Sequence, residues 1–207
     1  MKQQPVRSRI LAAAEEQLTG TGYSAMTMDR LANELGMSKR TLYENFRSKD
    51  ALIESVFLEK RAELTRAQRE VMESEGNLIE KIHRIAPYMQ KCLGTVFNPR
   101  LLGDLKRNAP ALWQTIKIMR KEKIETMWTA ILTEGKSKGY VRKKLDTAVM
   151  IAIYTAAVEK LFDEYIIPGV YSQAEARGIV LEVFLNGILT DKGKAAATTY
   201  SLKQSSL

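Results

Sequence analysis

Five polar side chains between residues 39 and 44 have the chemistry needed to contact nucleic acid. They are Lys39, Arg40, Thr41, Tyr43 and Glu44. Ammonium, guanidinium, hydroxyl and phenol groups bind phosphate oxygens, and a guanidinium also forms paired hydrogen bonds with a guanine edge. Arg40 and Glu44 are four residues apart, so their alternative role is an exposed ion pair worth about 0.3–0.5 kcal/mol.

A short helix that begins after Ser38 is predicted to place these groups on one surface. Ser38 is a favoured N-cap residue, and Leu42 and Phe46 are apolar at i, i+4 spacing. At 100° per residue, these two apolar residues define the inner face of the helix, and Arg40 and Glu44 point directly away from it. The helix therefore presents its polar groups to a partner.

Another short helix is predicted immediately before this one. Thr27 is its expected N-cap, Met28, Leu31 and Leu35 recur at helical spacing, and Gly36 ends it. Two short helices joined by a tight turn are typical of helix-turn-helix units, in which the second helix enters the major groove of DNA. Two helices of an ordinary bundle have the same layout, so spacing alone leaves both interpretations open.

The run Ser-Lys-x-Thr-Leu-Tyr-x-x-Phe-x-x-Lys-x-x-Leu, from Ser38 to Leu52, carries a family resemblance. Together with the residues from Gly22 onward, it resembles the N-terminal domain of TetR-family transcriptional regulators. The resemblance implies phosphate contacts by Thr27, Ser38, Tyr43 and Lys49, and contacts near the bases by Lys39, Arg40, Thr41 and Asn45. Glu44 is a further candidate for DNA contact. Arg40 stands where many members have a small residue, so its long side chain must either read a base or fold back.

The net charge of the 207-residue chain is +8, which favours an anionic partner. The charge is unevenly distributed. Residues 1–50 carry eight basic and six acidic side chains, whereas residues 100–144 carry twelve basic and four acidic ones. The basic stretch 100–144 is interpreted as a solvated face, and the alternatives are attraction of an anionic effector or of additional DNA phosphates.

The fold class predicted from the sequence is all-α. The chain has only five prolines, many helix-favouring residues and no convincing alternation typical of strands. We expect a three-helix helix-turn-helix domain over residues 1–47, followed by a larger helical domain for effector binding and dimerisation over residues 48–190. Residues 191–207, rich in Ala, Thr, Ser and Lys, are expected to form a flexible tail.

Several classes of protein are excluded by features that the sequence lacks. The N-terminal residues have no apolar secretion signal, and the longest apolar run, 148–158, is shorter than the roughly 20 residues of a membrane helix. Cys92 is the only cysteine and His83 the only histidine, so no metal site, cofactor or disulfide is expected. No phosphate-binding loop or nucleophile elbow is present, and we expect a cytoplasmic protein that is not an enzyme.

Aromatic and methionine residues in the middle helices are candidates for an effector pocket. The expected ligand is a small molecule that is apolar or anionic. The same residues at helical spacing are more often plain core, and that alternative stays open. The candidates are Tyr88, Cys92, Phe97, Trp113, Met127 and Trp128.

Two helices near the C-terminus are apolar on nearly every face, which predicts burial on every face. The family pairs its last two long helices with those of a second copy, so the resemblance implies a homodimer. If the helices instead form the core of a monomer, no partner is needed. The expected interface residues are Ala152, Thr155, Ala156, Phe162, Val180, Phe184, Leu185 and Ile188.

The function expected from these observations is that of a repressor. A homodimer would bind a near-palindromic operator in double-stranded DNA, and a small-molecule effector would release it. The alternative is a DNA-bound structural or partner-binding factor of the same fold that has no small-molecule inducer.

Overall fold

The computed structural model describes residues 5–85, 88, 99–163 and 171–204. These residues form ten helices and no strand, with one isolated bridge between Val141 and Leu189, so the predicted all-α fold is confirmed. Among the described helices, none combines the length and the apolar character needed to cross a membrane. The helices are α1 (Val6–Thr21), α2 (Met28–Glu34), α3 (Lys39–Asn45), α4 (Lys49–Glu73), α5 (78–85), α6 (Pro99–Asn108), α7 (Pro110–Ser137), α8 (Thr147–Asp163), α9 (Gln173–Ile188) and α10 (Asp191–Gln204).

The N-caps predicted at Thr27 and Ser38 are confirmed, and the structure also has caps at Ser48 and Ser172. The hydroxyls of Thr27, Ser38 and Ser48 accept hydrogen bonds of 3.0–3.2 Å from backbone N–H groups three residues later. Ser172 and Glu175 form a capping box at α9. Each cap satisfies an N–H group that the helix leaves unpaired, and its loss typically costs about 1 kcal/mol.

The chain divides into two compact units. The first contains Met1–Thr65 and Lys91–Arg120. Ile10, Leu31, Leu42, Leu52 and Leu105 are among its fully buried side chains, which come from α1, α2, α3, α4 and α6. The unit therefore extends beyond the predicted domain 1–47, because α6 and the first part of α4 share its core, and the boundary after residue 47 stays a prediction.

A tight turn links α1 to α2 in the first unit. Gly22 ends α1 with φ at +92°, a conformation that residues with a side chain rarely adopt. A Cβ atom at Gly22 would lie 2.8 Å from Oδ2 of Asp104 in α6. The backbone conformation therefore favours glycine at this position, and a side chain here would also displace the Asp104 carboxylate.

Gly22→Ala is expected to lower the free energy of unfolding by about 1–3 kcal/mol, because it combines strain at positive φ with a clash against Asp104. Gly20→Ala is the matched control. Gly20 lies within α1 and a Cβ there would have no neighbour within 4 Å, so that change should stabilise the protein slightly. Urea unfolding of both variants measures the difference, and equal midpoints would contradict the expectation.

The second unit contains Arg66–Gln90 and Lys121–Leu207. Helices α8 and α9 pack against each other, and an aromatic cluster lies in the core. The Trp128 ring meets the Tyr154 and Phe184 rings edge-on at centroid distances of 4.7 and 4.9 Å. Such edge-to-face pairs add to the stabilisation that apolar burial already supplies.

The segment expected to be a flexible tail contains a helix, α10, over Asp191–Gln204. Thr190 caps it, since its hydroxyl accepts a 3.2 Å hydrogen bond from the Gly193 N–H and donates one of 2.7 Å to the Gly139 carbonyl. Gly193 is buried against the Tyr140 backbone. The alanines in this segment are strong helix formers, and the cap and the packed glycine supply the tertiary contacts that its composition does not reveal.

Candidate nucleic-acid interface

Helices α2 and α3 are joined by a turn of four residues, Leu35 to Ser38. Gly36 adopts φ of +62°, and the Met37 N–H donates a 3.0 Å hydrogen bond to the Ala32 carbonyl. This is the usual way in which a left-handed glycine ends a helix. The turn sets the direction in which α3 leaves α2, and so orients its outer face.

The inner face of α3 is fixed by burial, as its periodicity predicts. Leu42 is fully buried and Phe46 is 3% exposed. The Arg7 guanidinium lies 4.3 Å from the centre of the Phe46 ring, and Arg7 also donates to the Asn45 carbonyl at 3.3 Å. Helix α1 therefore supports α3 at its C-terminal end through a contact that local periodicity does not indicate.

The outer face of α3 carries the groups predicted to contact DNA. Lys39, Arg40, Tyr43 and Glu44 are exposed on it, and Thr41 is half-buried. The Arg40 Nε lies 2.9 Å from a Glu44 oxygen, and both side chains are largely exposed. The i, i+4 ion pair considered from the sequence is thus the arrangement found in the structure.

The remaining predicted DNA contacts lie at the ends of the short helices. Thr27 and Ser38 are exposed caps whose hydroxyl protons can still be donated to a phosphate, and Ser38 is also 2.9 Å from the Thr41 hydroxyl. The Asn45 amide donates to the Thr41 carbonyl at 2.8 Å. Lys39 pairs with Asp29 at 2.5 Å, which joins α3 to α2.

Lys49 begins α4 and lies over an aromatic ring that the sequence did not single out. Its ammonium is 3.9 Å from the centre of the Tyr23 ring, and the Tyr23 hydroxyl donates a 2.8 Å hydrogen bond to Asp50. Burial and the bond to Asp50 raise the pKa of Tyr23 to about 12. Tyr23 therefore stays protonated at neutral pH and acts as a fixed donor beneath the lysine.

The predicted effector-pocket residues are not all in one place. Cys92 and Phe97 lie outside the described residues, and Tyr88 is 48% exposed. Trp113 belongs to the first unit, whereas Met127 and Trp128 are buried in the second. Among the predicted pocket residues that the structure describes, only Met127 and Trp128 are buried in the same unit.

Trp128 lies among buried polar atoms of the second unit. Its indole nitrogen is buried close to the Tyr154 hydroxyl but outside hydrogen-bonding geometry. Burial raises the pKa of Tyr154 to about 12, and the nearby indole opposes this increase. Thr155, the next residue of α8, also has a buried hydroxyl without a hydrogen-bonding partner in the described structure. Buried polar atoms of this kind call for an explanation, and a bound molecule is one.

The predicted dimer residues divide between surface and core. Ala152 and Ala156 are exposed, Val180 and Leu185 are half-buried, and the Phe162 side chain lies outside the described part. Thr155, Phe184 and Ile188 are buried within the second unit, where they face its core. The exposed aliphatic residues of α8 and α9, which the prediction did not name, are Val149, Ile153, Ile179 and Val183, at 57%, 61%, 44% and 67% exposure.

Part of the basic stretch 100–144 is used for contacts inside the second unit. Lys123 donates a 2.6 Å hydrogen bond to Gln68, and Lys136 donates to the Leu145 carbonyl at 2.5 Å and to Thr147 at 2.7 Å. The basic stretch 100–144 is therefore not uniformly exposed to solvent.

Within the described residues, no group of three or more His, Cys, Asp and Glu side chains has the geometry of a metal site.

A short helix held on its inner face, with an exposed polar outer face after a tight turn, defines a helix-turn-helix DNA-binding protein. Residues 10–56 match the family model described as bacterial regulatory proteins, tetR family. The uncharacterized HTH-type transcriptional regulator YvaF of Bacillus subtilis (strain 168) is 30% identical over 186 residues, covering 89% of this chain and 96% of that protein. The chain belongs to the TetR family of transcriptional regulators, which bind DNA and are not enzymes.

Similarity to other regulators extends over nearly the whole chain. The fatty acid metabolism regulator protein of Bacillus subtilis (strain 168) is 23% identical over 192 residues, or 91% of this chain and 98% of that protein. The structure of the fatty acid degradation regulator FadR from Bacillus halodurans has a TM-score of 0.68 at 22% identity, and covers 90% of this chain and 98% of FadR. The likeness of fold therefore covers the C-terminal helices of this chain as well as its helix-turn-helix.

Proposed function

We propose that this regulator is a cytoplasmic homodimeric repressor that binds a near-palindromic operator and is released by a small-molecule effector. The observation that carries the proposal is the α8–α9 apolar surface, which we define as Val149, Ala152, Ile153, Ala156, Ile179 and Val183. Exposed aliphatic side chains on two helices that pack against each other favour an interaction surface.

A second copy of the chain is the partner proposed for this surface. On α8 the exposed residues recur at the spacing of one helix face, and Ala152 and Ala156 allow close approach. A two-fold axis would bring the same surface of each copy together, with the buried aromatic cluster behind it supplying rigidity. The pairing would also place two copies of α3 at a defined separation, about 34 Å or a multiple of it for adjacent major grooves.

The DNA contacts proposed for each α3 require the ion pairs of the free protein to exchange partners. Arg40 and Glu44 are 88% and 59% exposed, and exposed pairs contribute well under 1 kcal/mol. A guanine edge or a phosphate can therefore replace the carboxylates of Glu44 and Asp29 at small cost. Thr27, Ser38, Tyr43 and Lys49 are proposed to bind phosphates, and Lys39, Arg40, Thr41 and Asn45 to lie nearest the bases.

The effector is proposed to bind in the second unit beside Trp128. The buried indole N–H and the Thr155 hydroxyl favour a ligand with an apolar body and a hydrogen-bonding group. Two relatives are named as regulators of fatty acid metabolism or degradation, and a fatty-acid chain has that chemistry. Tyr88 and Met127 belong to the same unit and stay candidates for this role, whereas the roles of Cys92, Phe97 and Trp113 stay predictions from the sequence alone.

Sedimentation and mapping of genomic binding sites test the proposal together. A dimer at micromolar concentration and a near-palindromic consensus among the bound sites are the expected results. Thermal unfolding with fatty acids of graded length then tests the effector, since a ligand stabilises the protein by RT ln(1 + [L]/Kd). A monomer would exclude the dimer, and DNA binding that no tested ligand weakens would favour a DNA-bound factor without an inducer.

Lys49→Ala is expected to weaken binding to all DNA sequences to a similar degree, because a phosphate contact carries no sequence information. The slope of log K against log salt should become shallower by about one unit. Lys194→Ala is the matched control, since Lys194 is an exposed lysine of α10 in the second unit. Fluorescence anisotropy at several salt concentrations measures both slopes. A loss confined to the operator would indicate that Lys49 does not bind a phosphate.

A further inference from the structure

An acidic residue of α6 holds the turn that joins α1 to α2, which we call the 22–27 turn (residues 22–27). One Asp104 oxygen accepts a 2.9 Å hydrogen bond from the Ser24 backbone N–H, and the other accepts a bond from the Ser24 hydroxyl. The Asn108 amide donates to the second oxygen at 2.7 Å. Both oxygens of the carboxylate are thus engaged, and two of its three bonds reach a residue 80 positions away in sequence.

The contact is close as well as directional. The missing Cβ of Gly22 gives the Asp104 carboxylate its space, since that atom would be 2.8 Å from Oδ2. Although burial would raise the pKa of the Asp104 carboxyl, the bonds from Ser24 and Asn108 and the charge of Arg107 lower it. The carboxylate is therefore charged at neutral pH and is a strong acceptor for Ser24.

The same turn supplies the ring beneath Lys49. Tyr23 lies between Gly22, whose missing Cβ leaves space for the Asp104 carboxylate, and Ser24, which donates hydrogen bonds to it. Its ring lies 3.9 Å below the Lys49 ammonium, and its hydroxyl is bonded to Asp50. Burial lowers the pKa of Lys49, and Asp50 and Asp104 oppose this change, so Asp104 is close enough to act on the ammonium directly. A continuous set of contacts runs from α6 through the 22–27 turn to the first residue of α4.

We propose that Asp104 is a positioning residue for DNA binding. It fixes the 22–27 turn so that Tyr23 holds Lys49 in place to bind a phosphate, and the inference therefore rests on the proposed phosphate contact of Lys49. A carboxylate near a DNA-binding surface repels DNA by charge. Positioning of the turn by Asp104 should therefore strengthen DNA binding, whereas the charge of Asp104 should weaken it. Because the two effects change the affinity in opposite directions, a measurement can distinguish them.

Asp104→Asn removes the charge and one acceptor but keeps the size of the side chain. The matched control is Glu16→Gln, which removes one negative charge from an exposed position of α1 in the same unit. The probe is a duplex of roughly 40 base pairs that the wild-type protein selects from random sequence, long enough for two half-sites about 34 Å apart. If Asp104 acted only by charge, both variants would bind this duplex as tightly as the wild type or more tightly.

If Asp104 positions the turn, Asp104→Asn should bind the duplex about 5-fold to 20-fold more weakly than the wild type. The slope of log K against log salt should become shallower by up to about one unit. Glu16→Gln should not weaken DNA binding. Ser24→Ala removes the hydroxyl bond from the other side and should weaken binding in the same direction. Thermal unfolding identifies any variant that does not fold. If Asp104→Asn is such a variant, Ser24→Ala decides the test alone.

The double variant Asp104→Asn/Lys49→Ala tests whether Asp104 acts through Lys49. Its affinity should equal that of Lys49→Ala, because the contact that Asp104 positions is already lost. Additive losses would overturn the inference, and so would wild-type binding by both Asp104→Asn and Ser24→Ala. If either result is found and Lys49→Ala still binds DNA more weakly than the wild type, the inference fails but the proposed function stands. A silent Lys49→Ala variant would instead refute the proposed phosphate contact and the inference with it.

Discussion

Val183→Glu is expected to convert the regulator into a folded monomer that loses operator binding. Val183 is 67% exposed on α9, so a carboxylate there is solvated in the monomer and leaves the core unchanged. In a two-fold dimer, the same change places two like charges in an apolar interface, and burying them unpaired is strongly unfavourable. Because the two DNA-binding domains then no longer act together, affinity for the full operator should fall by about 100-fold or more.

The control for this prediction is Ile118→Glu, which introduces the same charge at a similarly exposed aliphatic position. Ile118 is 58% exposed on α7 and belongs to the first unit, whereas the α8–α9 apolar surface belongs to the second. Ile153→Glu, at 61% exposure on α8, should behave like Val183→Glu. Sedimentation and circular dichroism separate dissociation from unfolding. A Val183→Glu protein that stays dimeric would place the interface elsewhere, and one that unfolds would show that Val183 belongs to the monomer core.

Arg40→Ala is expected to cost about 1–3 kcal/mol of operator binding and to relax the preference at one base pair in each half-site. Arg40 is 88% exposed at the outer face of α3, and in the described structure it is bonded to Glu44, which is itself exposed. Releasing that bond costs little, whereas a paired hydrogen bond to guanine discriminates strongly between bases. Selection of binding sites from random sequence by both proteins measures the change in preference.

Arg40→Lys and Glu44→Gln make the prediction more specific. Lysine keeps the charge but not the planar fork, so Arg40→Lys should retain affinity for non-specific DNA and lose part of the base preference. Glu44→Gln removes the carboxylate that holds Arg40 in the free protein, and should strengthen binding without changing which base is preferred. An unchanged preference in Arg40→Ala would mean that the side chain only pairs with Glu44.

The features predicted correctly from the sequence depend on residues close together in the chain. The N-caps at Thr27 and Ser38 involve partners three residues away, and the faces of α3 follow from Leu42 and Phe46 one turn apart. Interactions of that range are set by helix geometry itself, so composition and spacing are sufficient to predict them.

The features that were missed depend on contacts between distant residues. Asp104 is 80 positions from Ser24, and no local pattern marks either residue. In α8, composition alone does not distinguish Thr155, which faces the core, from Ile153, which is 61% exposed, because the helix is apolar on both sides. Which face of such a helix is covered depends on its neighbours, and α9 supplies that cover here.

The turn at Gly22 has a consequence for how sequences of this type can diverge. Loss of the Asp104 carboxylate would free the space beside Gly22, but φ of +92° would still exclude most side chains. Both the positive φ and the limited space therefore favour glycine at position 22, and no single substitution elsewhere removes both conditions. The residue type at position 104 is restricted only by its contacts with the turn. Over generations, the glycine should persist in lineages where the aspartate has already been exchanged, and the reverse order of change should be rare.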